Sequence, residues 1–359
     1  MPTRGRSPTL RFRGQQDWRL WARRPEVKLR GGLVHPGKLG SFERRTCGLI
    51  RYLFREAGKA AEGADYSDRF EGLSLFFIDN AQINAVALED GPRRGIGVNL
   101  GVARNVWALL RLAVEHSEFL AASFKTPAPE ASGDLFSIPE DWPQERLDYL
   151  FELYLYAADF IVNHELAHHA RGHLDLVREE LGVATIDEGL SMGAAAGSKA
   201  GRLLQLIELD ADHHGLDLIL QGNAKKQLPD QGADWLIEDA FKLMLTTILV
   251  FLAFDLDHRP VDDAYFGSHP SPIHRAMRLT AAIVATFQEE YGLDHARLLD
   301  THSDAWCEAA DIARRMGMPE GRWWGEDEDI QAFQPRLEAL EEDFFAFSRE
   351  LDERNLSEG

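Results

Sequence analysis

From residue 41 onward, apolar residues recur three and four apart, the repeat that turns one stripe of an α-helix toward a core. This spacing predicts helices over 41–62, 102–123, 202–221, 234–256 and 272–290. Pro272 opens the last of these, where a first helical turn tolerates proline. The stretch LDYLFELYLYAADFIVN (147–163) is apolar on nearly all sides, and no proline falls between Gln144 and His173, so a buried central helix is expected. The following LDLVREELG either finishes that helix or starts another. Alternation replaces the helical repeat in GLSLFFID, INAVALED and RRGIGVNLG, which predicts three strands, with turn residues in EDGPRR between the last two. Residues 1–40, the proline-rich stretch 125–143 and the glycine-rich TIDEGLSMGAAAGSKAG are expected to be loops, and QAFQPRLEALEEDFFAFSRELDERN an amphipathic helix. The fold class expected is α+β, mostly helical, with one small sheet.

The longest apolar run, LMLTTILVFLAF (243–254), has 12 residues, which suits a core helix and is too short for a bilayer span. Cys47 and Cys307 lie far apart and form no ligand pattern, and no secretory h-region opens the chain, so a cytoplasmic protein is expected. Charge is uneven. Residues 1–60 hold 15 Lys and Arg against 4 Asp and Glu, whereas the whole chain holds 39 against 59, a net charge of −20. The Arg-rich opening could meet nucleic acid or an acidic partner, or fold back on the acidic body. No nucleic-acid-binding signature accompanies it, so a protein or peptide is expected as partner rather than nucleic acid.

Candidate chemistry is concentrated in His164-Glu165-Leu166-Ala167-His168. On a helix, positions i and i+4 share a face, so both imidazoles can reach one metal ion. Glu165 follows the first ligand directly, placed to take a proton from a zinc-activated water. Catalytic zinc needs a third protein ligand. The metzincin continuation fails, because Arg171 and Leu174 occupy its glycine and histidine positions. A gluzincin takes a glutamate from a later helix, and Glu208-Leu209-Asp210-Ala211-Asp212 offers one. Glu208 and Asp212 share a face, so Glu208 can bind zinc while Asp212 accepts a hydrogen bond from a ligand histidine. A buried structural ion pair is the bland alternative for Glu208. Asp210 projects elsewhere, and His213 and His214 sit on other faces. His173 reads as an outer partner or structural residue, with metal ligation the lesser option.

These residues resemble a known family. HExxHxxxxH followed by ExxAD, preceded by Asn84-Ala85-Val86-Ala87-Leu88 and followed by Ser268-His269-Pro270 with Arg275 and Arg278, is similar to the gluzincin metallopeptidases related to HtpX and the CAAX prenyl proteases. Those are membrane proteins, and this chain has no span; a peptidase resembling the phage-exclusion protease Lit is a variant of the same reading. The resemblance implies a zincin-like core with the sheet beside the HExxH helix. It implies zinc on His164, His168 and Glu208, with Glu165 as base and Asp212 orienting His164. His269 then either donates to the tetrahedral oxyanion or caps a helix. In such peptidases an edge strand binds extended substrate through its backbone. Asn84, Ala85 and Val86 are the candidate positions, with an ordinary core hairpin as the equal alternative. The expected organisation is a basic arm and helix (1–60), a zinc metallopeptidase domain (61–290) and an acidic helical extension (291–359). The competing class is a non-catalytic peptidase-fold binding module acting through the basic arm; the intact Glu165 speaks against it.

Overall fold

A computed structural model describes residues 21–60, 67–70, 72–116, 135–138, 142–183, 185–187, 198–225, 232–257, 270–316 and 327–358. The helices are α1 (Pro25–Leu29), α2 (Ser41–Ala60), α3 (Trp107–His116), α4 (Gln144–Ala170), α5 (His173–Leu181) and α6 (Lys199–Lys225). They continue as α7 (Ala233–Asp257), α8 (Pro272–Tyr291), α9 (His295–Arg315) and α10 (Asp327–Glu358). The strands are β1 (Ser74–Ile78), β2 (Ala85–Asp90), β3 (Arg93–Asn99) and β4 (Thr185–Asp187). The fold is mostly helical with one small mixed sheet, as the sequence pattern predicts.

Helix α4 is the axis of the molecule. Every residue from Phe160 to Ala170 is buried, because α2, α6, α7 and strand β2 all pack against it. Gly172, in the left-handed region at φ +73°, ends α4, and α5 begins at His173. A Cβ at Gly172 would also collide with the Arg69 guanidinium, 2.1 Å away. LDLVREELG therefore starts a new helix. The apolar run of α7 is core: Leu243–Phe254 is buried throughout, and among the described residues no helix is long and apolar enough to cross a membrane.

The sheet order is β1-β3-β2-β4. β2 and β3 form an antiparallel hairpin, and Gly91 (φ +59°) followed by Pro92 gives it the pattern of a type II′ turn. β1 lies parallel to β3, and β4 antiparallel to β2. Two expectations are corrected here. TID is a strand rather than loop, because it completes β2's free backbone groups. In consequence β2 is not an open edge at Val86, which pairs with Gly97 on one side and Asp187 on the other.

Residues 21–34 are not a free arm. Trp21 stacks on Phe76 at 5.3 Å, and Val34 N donates to Phe77 O, so this segment covers one sheet face and the edge of β1. Residues 1–20 lie outside the described residues. The main core draws on Cys47 and Ile50 of α2 and on Leu298, Ala305 and Ile312 of α9 as well as on α4, so neither residue 60 nor residue 290 marks a seam. The expected helix 102–123 enters as a π-helical turn, Val102–Val106, and is described as far as His116.

Candidate metal centre

Two helices build the centre. α4 carries His164 and His168 one turn apart, and α6 carries Glu208 and Asp212 one turn apart. The helices come close because residue 215 is glycine: a Cβ there would lie 2.9 Å from His164 N and 3.0 Å from its Cα. The side chains of His164, His168 and Glu208 are buried and offer ligand atoms all within 4.8 Å of one another, a group that could hold a metal ion. The two Nε2 atoms are 3.1 Å apart, His164 Nε2 is 3.4 Å from Glu208 Oε2, and His168 Nε2 is 3.8 Å from Glu208 Oε1. Ligands about 2.0–2.1 Å from a tetrahedral ion stand about 3.3 Å apart. The separations of His164 Nε2 from His168 Nε2 and from Glu208 Oε2 are close to the edge of such a tetrahedron, while His168 faces the other carboxylate oxygen.

The outer partners fix the protons. His164 Nδ1 lies 3.0 Å from Asp212 Oδ1. Burial pushes the Asp212 carboxyl up, but Arg275, with two hydrogen bonds of 2.7 Å, and His164 outweigh it and hold Asp212 below the usual carboxylate range. An ionised Asp212 only accepts, so Nδ1 of His164 carries a hydrogen and Nε2 is the nitrogen left facing His168 and Glu208. His168 Nδ1 lies 3.0 Å from His173 Nδ1, and His173 Nε2 lies 3.0 Å from Asp210 Oδ2. Burial also raises Asp210, but His173, His214 and Arg171 bring it well below its ordinary value. Starting from that carboxylate, His173 donates through Nε2 and accepts through Nδ1, and His168 donates through Nδ1. Burial drives the pKa values of both rings down, so neither is cationic at neutral pH. The Nε2 atoms of His164 and His168 face each other across 3.1 Å, where one cation can meet both.

Arg275 adds charge balance. Its Nη2 is 3.5 Å from Glu208 Oε2, and its guanidinium lies over the Phe251 ring at 4.7 Å. Phe251 packs in turn on Phe160, which adjoins His164. Glu165 is buried, and its charge acts on Arg30: burial lowers the Arg30 pKa, while Glu165 and then Glu26 raise it.

The expected residues His164, His168, Glu208, Asp212 and His173 thus come together, with Glu165 beside the first ligand in the chain. His269 lies outside the described residues. Asn84, Ala85 and Val86 are buried in the sheet, and the pairing of Val86 on both sides leaves no room there for an added strand. His213 lies 3.8 Å from Asp217, and His214 stands between Asp217 and Asp210 at 3.7 Å from each; neither belongs to the group of His164, His168 and Glu208. Asp210 projects away from Glu208, as expected, and there anchors His173, a role its spacing does not mark; Arg171, its partner, occupies a position weighed only as a missing glycine. Arg275 entered only as part of a motif, and nothing in the sequence marks Arg30.

No protein-family model, curated protein or solved structure gives a significant match to this chain.

Proposed function

We propose that this chain is a zinc-dependent peptide-bond hydrolase with a gluzincin-type core, in which His164, His168 and Glu208 hold the metal and Glu165 is the general base. The observation that carries the metal is the buried group of two imidazole Nε2 atoms and one carboxylate, with ligand atoms all within 4.8 Å of one another. Two imidazole nitrogens and one carboxylate oxygen are a donor set that suits zinc better than hard cations. The order of the HExxH, ExxAD and flanking segments supports the gluzincin reading. Zinc held there supplies a Lewis acid that polarises the scissile carbonyl and acidifies a water.

The chain's own residues do the rest. Glu165 takes the proton of the attacking water on its carboxylate and passes it to the leaving amine nitrogen. The Arg30 guanidinium and the Glu165 carboxylate attract each other. Asp212 and His173 keep both ligand rings in the tautomer that exposes Nε2.

Metal analysis and proteolysis of a denatured protein mixture, wild type beside Glu165→Gln, test the reading. Both proteins are expected to carry about one zinc per chain, and the variant to turn over roughly 100-fold more slowly or worse. Equal turnover would remove Glu165 from the mechanism. A wild type that binds no zinc would remove the site.

A further inference from the structure

Two series of side-chain contacts leave the metal centre in different directions, and both end on α10. The first runs from His168 through His173 and Asp210 to Arg171, the residue that closes α4. Arg171 pairs with Asp210 through Nε (2.7 Å) and Nη2 (3.2 Å). The same guanidinium pairs with Asp352 and donates to Ser348 O at 3.2 Å and Ser348 Oγ at 3.3 Å. Asn355 Nδ2 donates back to Arg171 O at 3.4 Å, so α10 grips both the backbone and the side chain of this residue.

The second series runs through α8. Arg275 holds Asp212, and one turn further on Arg278 donates through Nε to Glu341 Oε2 at 2.9 Å. The Arg278 guanidinium lies 3.7 Å from the centre of the Phe344 ring and reaches Leu209 O, the carbonyl next to Glu208, at 3.3 Å. Between these two points Leu340 and Phe344 are buried against Leu206 and Leu209, which flank Glu208 on α6.

We propose that α10 is a positioning element of the metal centre: through Arg171 it holds the residues that orient the His168 ring, and through Arg278 it is tied to the α6 backbone beside Glu208, so that docking of α10 and metal binding stabilise each other. The guanidinium is planar and forked. Fixing its plane from the α10 side fixes the Asp210 carboxylate, then the His173 ring, then the Nδ1 partner of His168. A coupling of this kind is reciprocal. The inference rests on His164, His168 and Glu208 forming a metal site and is independent of peptidase activity.

Amide hydrogen exchange of the full-length protein, with zinc and with chelator, tests it, together with zinc affinity measured by chelator competition. Zinc is expected to slow exchange across Leu340–Asn355 as well as across α4. Arg171→Met is expected to bind zinc more weakly, by up to roughly 10-fold, the lower end of the range for removing a direct outer partner of a ligand, with a partial return in Arg171→Lys. An α10 exchange rate indifferent to zinc while α4 is protected overturns the proposal. So does wild-type zinc affinity in Arg171→Met, the result expected of a helix that serves stability alone. If Arg171→Met does not fold, the wild-type exchange comparison decides by itself. A wild type that binds no zinc at all overturns this inference and the metal site together, a result distinct from the other two.

Discussion

Arg275 holds Asp212 by two hydrogen bonds of 2.7 Å, and through that carboxylate it turns Nε2 of His164 toward His168 and Glu208. The pair is almost wholly buried, with side-chain exposures of 5% and 1%. Breaking such a pair by removing one partner costs about 3–5 kcal/mol, because the other charge stays buried without compensation. Arg275→Met should therefore unfold in denaturant with that loss of stability even when stripped of metal. A loss below about 1 kcal/mol would mean that water reaches Asp212 in solution.

Glu208 and Asp212 share one face of α6 but have different duties. Glu208→Ala should lose zinc as completely as His164→Ala. Asp212→Asn should keep zinc with affinity weakened roughly 10–100-fold. Chelator competition reads both. The reverse order would make Asp212 the third ligand.

Gly215 permits the approach of α4 and α6 at the centre, since a Cβ would meet the His164 backbone at 2.9–3.0 Å. Backbone cannot rotate out of the way as a side-chain tip can. Gly215→Ala should cost about 1–3 kcal/mol, the usual range for overpacking, and should weaken zinc binding by separating the helices. A stable variant with wild-type zinc affinity would show that the helix pair has slack.

His169 faces away from the centre, its Nε2 3.3 Å from Gly95 O, and burial drives its pKa down to about 3. In the unfolded chain the ordinary value is about 6.5. Between those values the unfolded state binds the extra proton, so stability falls as pH drops through that window, with a limiting slope of about 1.4 kcal/mol per pH unit. In metal-free protein, His169→Phe should show a shallower loss of stability between pH 6 and 4, by about one proton's worth. An unchanged slope would mean that this ring is not held neutral.

Cys47 is fully buried, and burial pushes its thiol up to about 12, whereas Cys307 is exposed. The thiolate is the reactive form. Native protein at pH 8 should take up one equivalent of an alkylating reagent at Cys307, and a second only on unfolding. Rapid labelling of Cys47 in the native state would contradict the packing of α2 on α4.

The ligands were legible because helical spacing is a local property. A four-residue interval puts His164 with His168 and Glu208 with Asp212 whatever the rest of the chain does. The central helix was legible for the same reason, since a run apolar on every side has no solvent face. His173 was harder. In a continuous helix, a residue five positions on lies about 140° around from His168. The left-handed backbone at Gly172 is what brings its ring back, and periodicity does not see that break. β4 was missed because three residues in a glycine-rich setting carry no strand signal of their own; β2 recruits them. The roles of Arg171 and Asp210 were missed because their partners lie 181 and 37 residues away, in α10 and α5.

The close approach at Gly215 also gauges the ion. Three ligand atoms within 4.8 Å of one another, two of them imidazole nitrogens, suit a small ion of low coordination number. Calcium, which takes six to eight oxygens at about 2.3–2.6 Å, meets one carboxylate and two imidazoles in that group. A change of metal preference in this scaffold would have to begin at a position that has no side chain.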